Sequence, residues 1–455
     1  MTDLMYARWL MGLTLAFHIT FAAIGVALPL MMTIAEWRWL RSGKAVYREL
    51  AQKWSKGVAI LFAVGAVTGT VISFELGLLW PRFMDFAGPL IGFPFSLEGF
   101  AFFIEAIFLG IYLYGWERVS RQLHFFSGII IALSSALSGF LVTLTNAWMN
   151  NPVGFALIDG KPHNISPIVA MFPPGFAEEV IHVLLSCYAA VGFAVAGIHA
   201  FYLWRQPSST FHRTALLIAI GVGGIAALLQ PISGDFSARH VATNQPRKLA
   251  AIEGHYLTTN AAPLHIGGIP DDDTMTTPYA LKIPYGLSLL AFHDPHAKVL
   301  GLEEFPRHTW PNTLLVHLAF QIMVGLGFLM AFVVLLIYAA MLRTRWRKQE
   351  FVFNHTLLAI IMLCTPIGYI ALETGWLVTE WGRQPYTIMN TMLTSAAVTP
   401  MPNLATPFWV IISLFALLGV SVTILLSRMI HKGSQPTMAT MTSSAITSEQ
   451  SNVHC

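Results

Sequence analysis

The sequence predicts an all-α fold, a polytopic membrane bundle of about nine transmembrane helices, and three observations carry that prediction. The first is composition: of 455 residues, 55% are hydrophobic and 11% charged, against about 25% charged in soluble domains. The second is hydropathy. Nine apolar runs are long enough to cross a bilayer, at 9–35, 57–76, 95–116, 124–148, 179–204, 213–233, 313–342, 355–379 and 406–430. The third is the alternation of basic residues. Connections after odd-numbered spans carry clusters (Arg38, Arg41, Lys44, Arg48, Lys53 and Lys56; Arg118 and Arg121; Arg205 and Arg213; Arg343, Arg345, Arg347 and Lys348). The short intervening ones carry one each: Arg82, Lys161 and Arg383. The positive-inside rule then puts the N-terminus outside and the C-terminus in the cytoplasm, which requires an odd number of spans.

Taken in order, the first span is too long for a signal-peptide core, and Asp3 offsets Arg8 ahead of it. The eighth contains Pro366, which predicts a kink that neighbouring helices can tolerate. The connection 234–312 is polar, rich in Pro, Asp and His, and expected outside; a connection of that length is usually functional or disordered. The membrane domain is expected to cover 1–432, with a disordered cytoplasmic tail at 433–455 rich in Ser, Thr and Met. Three cysteines with no CxxC pair exclude a disulfide framework, a zinc knuckle and a CxxCH haem attachment. A net charge of +3 sorted between two membrane faces gives no reason to expect nucleic acid as a partner.

Function is written in the polar groups placed inside apolar runs. His18 is the lone ionisable residue of 9–35; Glu98, Glu105, His182, His199, His317 and Glu373 intrude similarly. Such groups are costly in lipid, so each should face protein and have a partner. They suggest bound metal or haem, or a proton path. At about 1.5 Å of rise per residue, His18, His182, Met323 and Glu373 all fall in the expected outer half. Four potential iron ligands at one level suggest a clustered cofactor, since His and Met are ordinary axial haem ligands. Singly, each has a plainer reading: a lone intramembrane His is more often an interhelical hydrogen-bonding residue, and Met323 is one of 19 methionines. His199 and His317 are read as structural. A stacked bis-histidine haem pair is disfavoured, because no second helix matches the spacing of His182 and His199.

Glu98 and Glu105 are two helical turns apart and share a face. They make a proton relay toward an outer-half cofactor, or two carboxylates each paired with a buried donor. Tyr369, Glu373, Trp376 and Glu380 also share a face, which continues into GRQPYTI at 382–388.

These residues carry a resemblance. ALETGWLVTEWGRQPY (371–386) resembles the signature of subunit I of the cytochrome bd-type quinol oxidases. So do SLEGFAFFIEAIFLGIYLYGWER (96–118), TNAWMNNPVG (145–154), IHVLLSCY (181–188), RKLAAIEGHY (247–256) and FQIMVGLGF (320–328), in the family's order along nearly the whole chain. The resemblance implies a low-spin haem b held by His182 and Met323. It also implies a high-spin haem b and a third haem, haem d or a further haem b, which use His18 and Glu373. Glu98 falls beside the high-spin pair, Glu105 at a proton-channel position, Arg383 near the haem propionates, and Lys248 and Glu253 at positions implicated in quinol oxidation.

Departures from the pattern are Tyr386 where the motif usually has Trp, Tyr369 where some members have Trp, and Gln321 where some have Arg two residues before the Met ligand. Loss of that cation should lower the low-spin haem's potential. The short outer loop resembles that of the cyanide-insensitive members, whose third haem is not always haem d.

The implied protein is a terminal respiratory oxidase subunit of the bacterial cytoplasmic (inner) membrane. It would oxidise ubiquinol or menaquinol at the outer face and reduce O2 to water, separating charge without pumping. The resemblance implies a polytopic subunit II and allows a small single-span subunit. Two other classes remain open: a membrane haem cytochrome passing electrons to another protein, and a haem-free transporter coupling protons through Glu98 and Glu105.

Overall fold

Why these runs become helices is plain from their caps and their apolar length. In the computed structural model, which describes residues 2–433, nine helices are long and apolar enough to cross a membrane. They are α1 (Asp3–Ser42), α2 (Ala45–Leu79), α3 (Pro81–Tyr114), α4 (Arg121–Asn150), α5 (Phe176–Arg205) and α6 (Thr210–Asn244). After the short helix α7 (Pro246–Glu253) come α8 (Thr313–Trp346), a broken span made of α9 (His355–Leu363) and α10 (Ile367–Arg383), and α11 (Ala405–Gly433). Thr2, Ser120, Ser209, Asn312 and Asn354 cap α1, α4, α6, α8 and α9 by accepting a backbone N–H. The break between α9 and α10 falls at Cys364–Pro366, where the proline predicted a kink.

Residues 1–408 form one compact unit, and the described part of the second, 409–433, is helix. The expected tail at 433–455 lies, beyond Gly433, outside the described residues.

Several helices outrun their hydropathic cores. α3 begins at Pro81, fourteen residues before the expected start. Its N1 proline lacks only an N–H that would be orphaned anyway, and Pro89 and Pro94 stay inside the helix. Glu98 therefore lies midway along α3. α6 continues to Asn244, so the outer connection is shorter than its polar composition suggests.

Close packing depends on small residues, as in membrane bundles generally. A Cβ on Gly192 of α5 would lie 2.3 Å from the Gly223 Cα of α6, and one on Gly368 of α10 would lie 2.5 Å from the Ala190 Cα of α5.

The connection between α6 and α8 is ordered by α8. Both ring nitrogens of His317, a fully buried residue, face backbone carbonyls: Ile252 at 2.8 Å and Gly267 at 3.0 Å. Gln321 accepts from Gly267 N–H and donates to the His265 carbonyl, both at 3.0 Å. Gln321 thus does a local job: it anchors the loop. His199 pairs with His212 at 2.9 Å. Short antiparallel ladders, such as Leu264–Ile266 with Leu281–Ile283, punctuate this helical protein's connections.

Candidate functional site

α10 organises the residues singled out from sequence, and each meets it at a different height. A Cβ on Gly375 would lie 3.1 Å from Met323 Sδ, so the thioether of α8 is seated against bare backbone there. Two residues earlier, the Glu373 carboxylate accepts from the Thr20 hydroxyl at 3.1 Å. Thr20 is two residues from His18 on α1. At the far end of α10, a Cβ on Gly382 would lie 2.9 Å from Lys248 Cε, so the absence of a side chain leaves the lysine stem its path.

The two histidines are oriented by hydroxyls. His18 Nδ1 lies 2.8 Å from Thr68 Oγ1 of α2, and His182 Nδ1 lies 2.9 Å from Ser233 Oγ of α6. The other nitrogen of His182 lies 3.1 Å from Gln230 Nε2. A partner on one ring nitrogen fixes the ring; on His18 this leaves the other nitrogen for a ligand, whereas on His182 the Gln230 amide faces it, so a ligand there would displace that amide. The chain brings Glu373 to the α1 segment of His18 and sets Met323 two residues along α10 from Glu373.

Above them lies a buried charged network. Arg383, 1% exposed, donates to Glu380 at 2.6 Å and to Asn150 Oδ1 at 3.4 Å, while its Nε has no protein partner. Lys248 donates to Thr379 at 3.3 Å and Asn150 at 3.5 Å. Burial pulls the Lys248 ammonium down to about 8, with Arg383 adding to the effect and the Glu179 and Glu380 carboxylates opposing it. Glu253, 1% exposed, ends α7 with its Oε2 unpartnered, and burial pushes its carboxyl up to about 8. The sequence placed these two residues in a polar connection between spans. That segment is the helix α7, which packs against α8 and α10 with Lys248 and Glu253 both buried.

Glu98 accepts from the Ser138 hydroxyl of α4 at 2.7 Å. Glu105 is buried against α4 with Ser135 as its side-chain partner.

Three carboxylates escaped the sequence reading. Glu75 of α2 is 3% exposed, accepts from Thr14 at 2.7 Å, and has a free Oε2. It stands alone in the apolar run VISFELGLL, the signal that identified Glu98. Glu179 joins the Lys248 network, and Glu36 is fully buried against His124.

Fold and site together define a polytopic membrane protein with His, Met and Glu residues placed inside its spans. The chain belongs to the cytochrome bd terminal oxidase subunit I family, whose profile matches residues 6–434. A Bacillus subtilis (strain 168) protein provisionally named as cytochrome bd menaquinol oxidase subunit I is 37% identical over 432 residues, 94% of this chain and 96% of that protein. Cytochrome bd ubiquinol oxidase subunit 1 of the same organism is 29% identical, over 96% of this chain and 95% of its own. The solved structure of the bd oxidase from Geobacillus thermodenitrificans superposes with a TM-score of 0.88 at 38% identity, covering 95% of this chain and 99% of that one.

The family implies haem, and the residues present fit it. Met323 Sδ faces a helix stripped of side chain at Gly375; each histidine has one nitrogen engaged by a hydroxyl; and buried Gln230 Oε1, Tyr369 OH and Arg383 Nε lack protein partners.

Proposed function

We propose that the chain is the quinol-oxidising, O2-reducing subunit of a membrane quinol:O2 oxidoreductase that separates charge without pumping. The observation that carries this reading is the ordering along α10. Within three turns the helix meets Lys248 at Gly382, Met323 at Gly375, and the His18 segment through Glu373 and Thr20.

His182 and Met323 would hold a low-spin haem b. His18 and Glu373 would serve the high-spin pair, a haem b with haem d or another haem b. These groups, when bound, supply electron storage and the oxygen chemistry.

The protein's own part is binding and proton handling. Lys248 is suited to donate to a quinol oxygen, because its ammonium is held by two weak hydrogen bonds and has donors to spare. Glu253 is suited to accept the quinol's proton, because its free oxygen is buried and its affinity for a proton is raised. Arg383 and Lys248 supply positive charge for anionic propionates. Glu105 and Glu98, two turns apart on α3, would carry cytoplasmic protons to the outer half of the membrane, while quinol protons leave outside. A subunit II completes the oxidase, as the family implies.

The test is oxygen uptake by the purified complex with ubiquinol and with menaquinol. Uptake with either supports the reading and identifies the donor. A haem-containing protein that oxidised quinol only when another electron acceptor was added would be a cytochrome and not an oxidase.

A further inference from the structure

Below Glu105 the same face of α3 continues into a third polar residue that the relay has not used. Glu98, Glu105 and Tyr112 are spaced by seven, two turns each, so they form one column. Tyr112 is fully buried, and its hydroxyl faces the Glu36 carboxylate. Its position is imposed by α1 and α4. A Cβ on Gly128 of α4 would lie 2.9 Å from Tyr112 Cε2 and 3.0 Å from Thr33 Oγ1 of α1, so only glycine lets the ring lie in that crevice.

Beside it, Glu36 of α1 is fully buried, and one carboxylate oxygen lies 2.7 Å from His124 Nδ1. The other ring nitrogen of His124 lies 2.9 Å from the Tyr112 carbonyl, so the ring bridges Glu36 and the α3 backbone. The Tyr112 hydroxyl is a side-chain hydrogen-bond partner of Glu36, so the three groups form one buried cluster. The Trp116 ring lies over His124 at 4.1 Å, between this cluster and the basic connection that follows α3.

We propose that Glu36, His124 and Tyr112 form the proton-loading station at the cytoplasmic end of the α3 column, feeding Glu105. The proposal rests on the Glu105 relay reading. Glu36 takes a proton from the cytoplasmic side on the oxygen that faces Tyr112, with His124 holding the carboxylate in place. Tyr112 gives its hydroxyl proton toward Glu105 and takes the Glu36 proton in return. The phenol is regenerated, the carboxylate is restored, and one proton has moved inward. From Tyr112 to Glu105 the rise is about 10 Å, the reach of a tyrosine side chain and a short water bridge.

The experiment compares Glu36→Gln, Tyr112→Phe and Glu105→Gln in the complete oxidase. The readouts are quinol-driven oxygen uptake, its solvent deuterium isotope effect, and the reduced haem spectrum. The expected result is a wild-type spectrum with turnover lowered roughly tenfold or more and a raised isotope effect in all three. Tyr112→Phe keeps the ring that packs on Gly128, so it separates loss of the hydroxyl from loss of the fold. Glu105→Gln slow with both Tyr112→Phe and Glu36→Gln at wild-type rate overturns the loading station and leaves the relay intact. Wild-type turnover in Glu105→Gln overturns the relay and the station with it. A slow Tyr112→Phe with an unchanged isotope effect overturns the proton-carrying role of its hydroxyl.

Discussion

Replacing Gly382 by Ala tests whether the position of Lys248 matters to quinol oxidation without altering a single charged group. The new Cβ would fall 2.9 Å from Lys248 Cε, 3.0 Å from Cγ and 3.3 Å from Cδ, all inside ordinary carbon contact. The lysine stem must move by at least half an ångström. Its two hydrogen bonds are already long, at 3.3 and 3.5 Å, and cannot stretch further and survive. A hydrogen bond from a charged donor to a quinol oxygen is worth about 1.5–3 kcal/mol, so kcat/KM for quinol should fall by ~10- to 100-fold. The better helix propensity of Ala, about 1 kcal/mol over Gly, offsets part of the cost of displacing the buried lysine, about 1–3 kcal/mol, so the melting temperature should fall only slightly. The assay is oxygen uptake driven by quinol, beside uptake driven by an artificial donor that bypasses the quinol site. An unchanged quinol kcat/KM would refute the reasoning, and an equal fall in both rates would mean that the damage lies elsewhere.

Three further outcomes are expected. The Glu253 carboxyl is held up at about 8, so it is a competent base only above that pH. Quinol kcat/KM should climb roughly tenfold per pH unit and level near 8, a limb absent in Glu253→Gln. The same shift has a stability sign: the folded state holds this proton more tightly than the unfolded one, so its contribution is complete below about 4.5 and is lost as pH rises toward 8. Removing Glu105's proton-carrying ability in Glu105→Gln should slow oxygen reduction and potential generation while leaving the low-spin spectrum intact; wild-type rates would end the relay role. Gly192→Val should push α5 from α6, because its Cβ would fall 2.3 Å from the Gly223 Cα, costing about 1–3 kcal/mol by overpacking and disturbing the His182–Ser233 bond. A melting temperature equal to wild type would show that the crossing yields freely.

The number and order of spans were legible because bilayer crossing needs long apolar runs, and those stand out in any window. Their ends were not legible: Pro81–Pro94 and Gly234–Asn244 are polar or proline-containing yet helical. Candidate site residues were legible where a titratable group interrupted an apolar run, as His18, His182, Glu98, Glu105 and Glu373 do. Their partners were not. Thr20, Thr68, Ser138 and Ser233 are ordinary helix residues until packing aims them, and Gly375 and Gly382 act by what they lack. Glu36 was missed because it sits one residue past the apolar run, where a charge reads as the membrane boundary. The burial of Lys248 and Glu253 depends on α8 drawing the outer connection down through His317 and Gln321, a long-range effect without a local signature.

If His182 and Met323 hold the haem that accepts quinol electrons, removing the thioether removes both that haem's signal and quinol oxidation. The most direct test is a reduced-minus-oxidised spectrum of the purified oxidase, wild type beside Met323→Leu, with quinol-driven oxygen uptake on the same samples. The account predicts loss of the low-spin signal and of quinol oxidation in the variant, with the high-spin signals retained. A low-spin spectrum and quinol turnover both unchanged by Met323→Leu would contradict it.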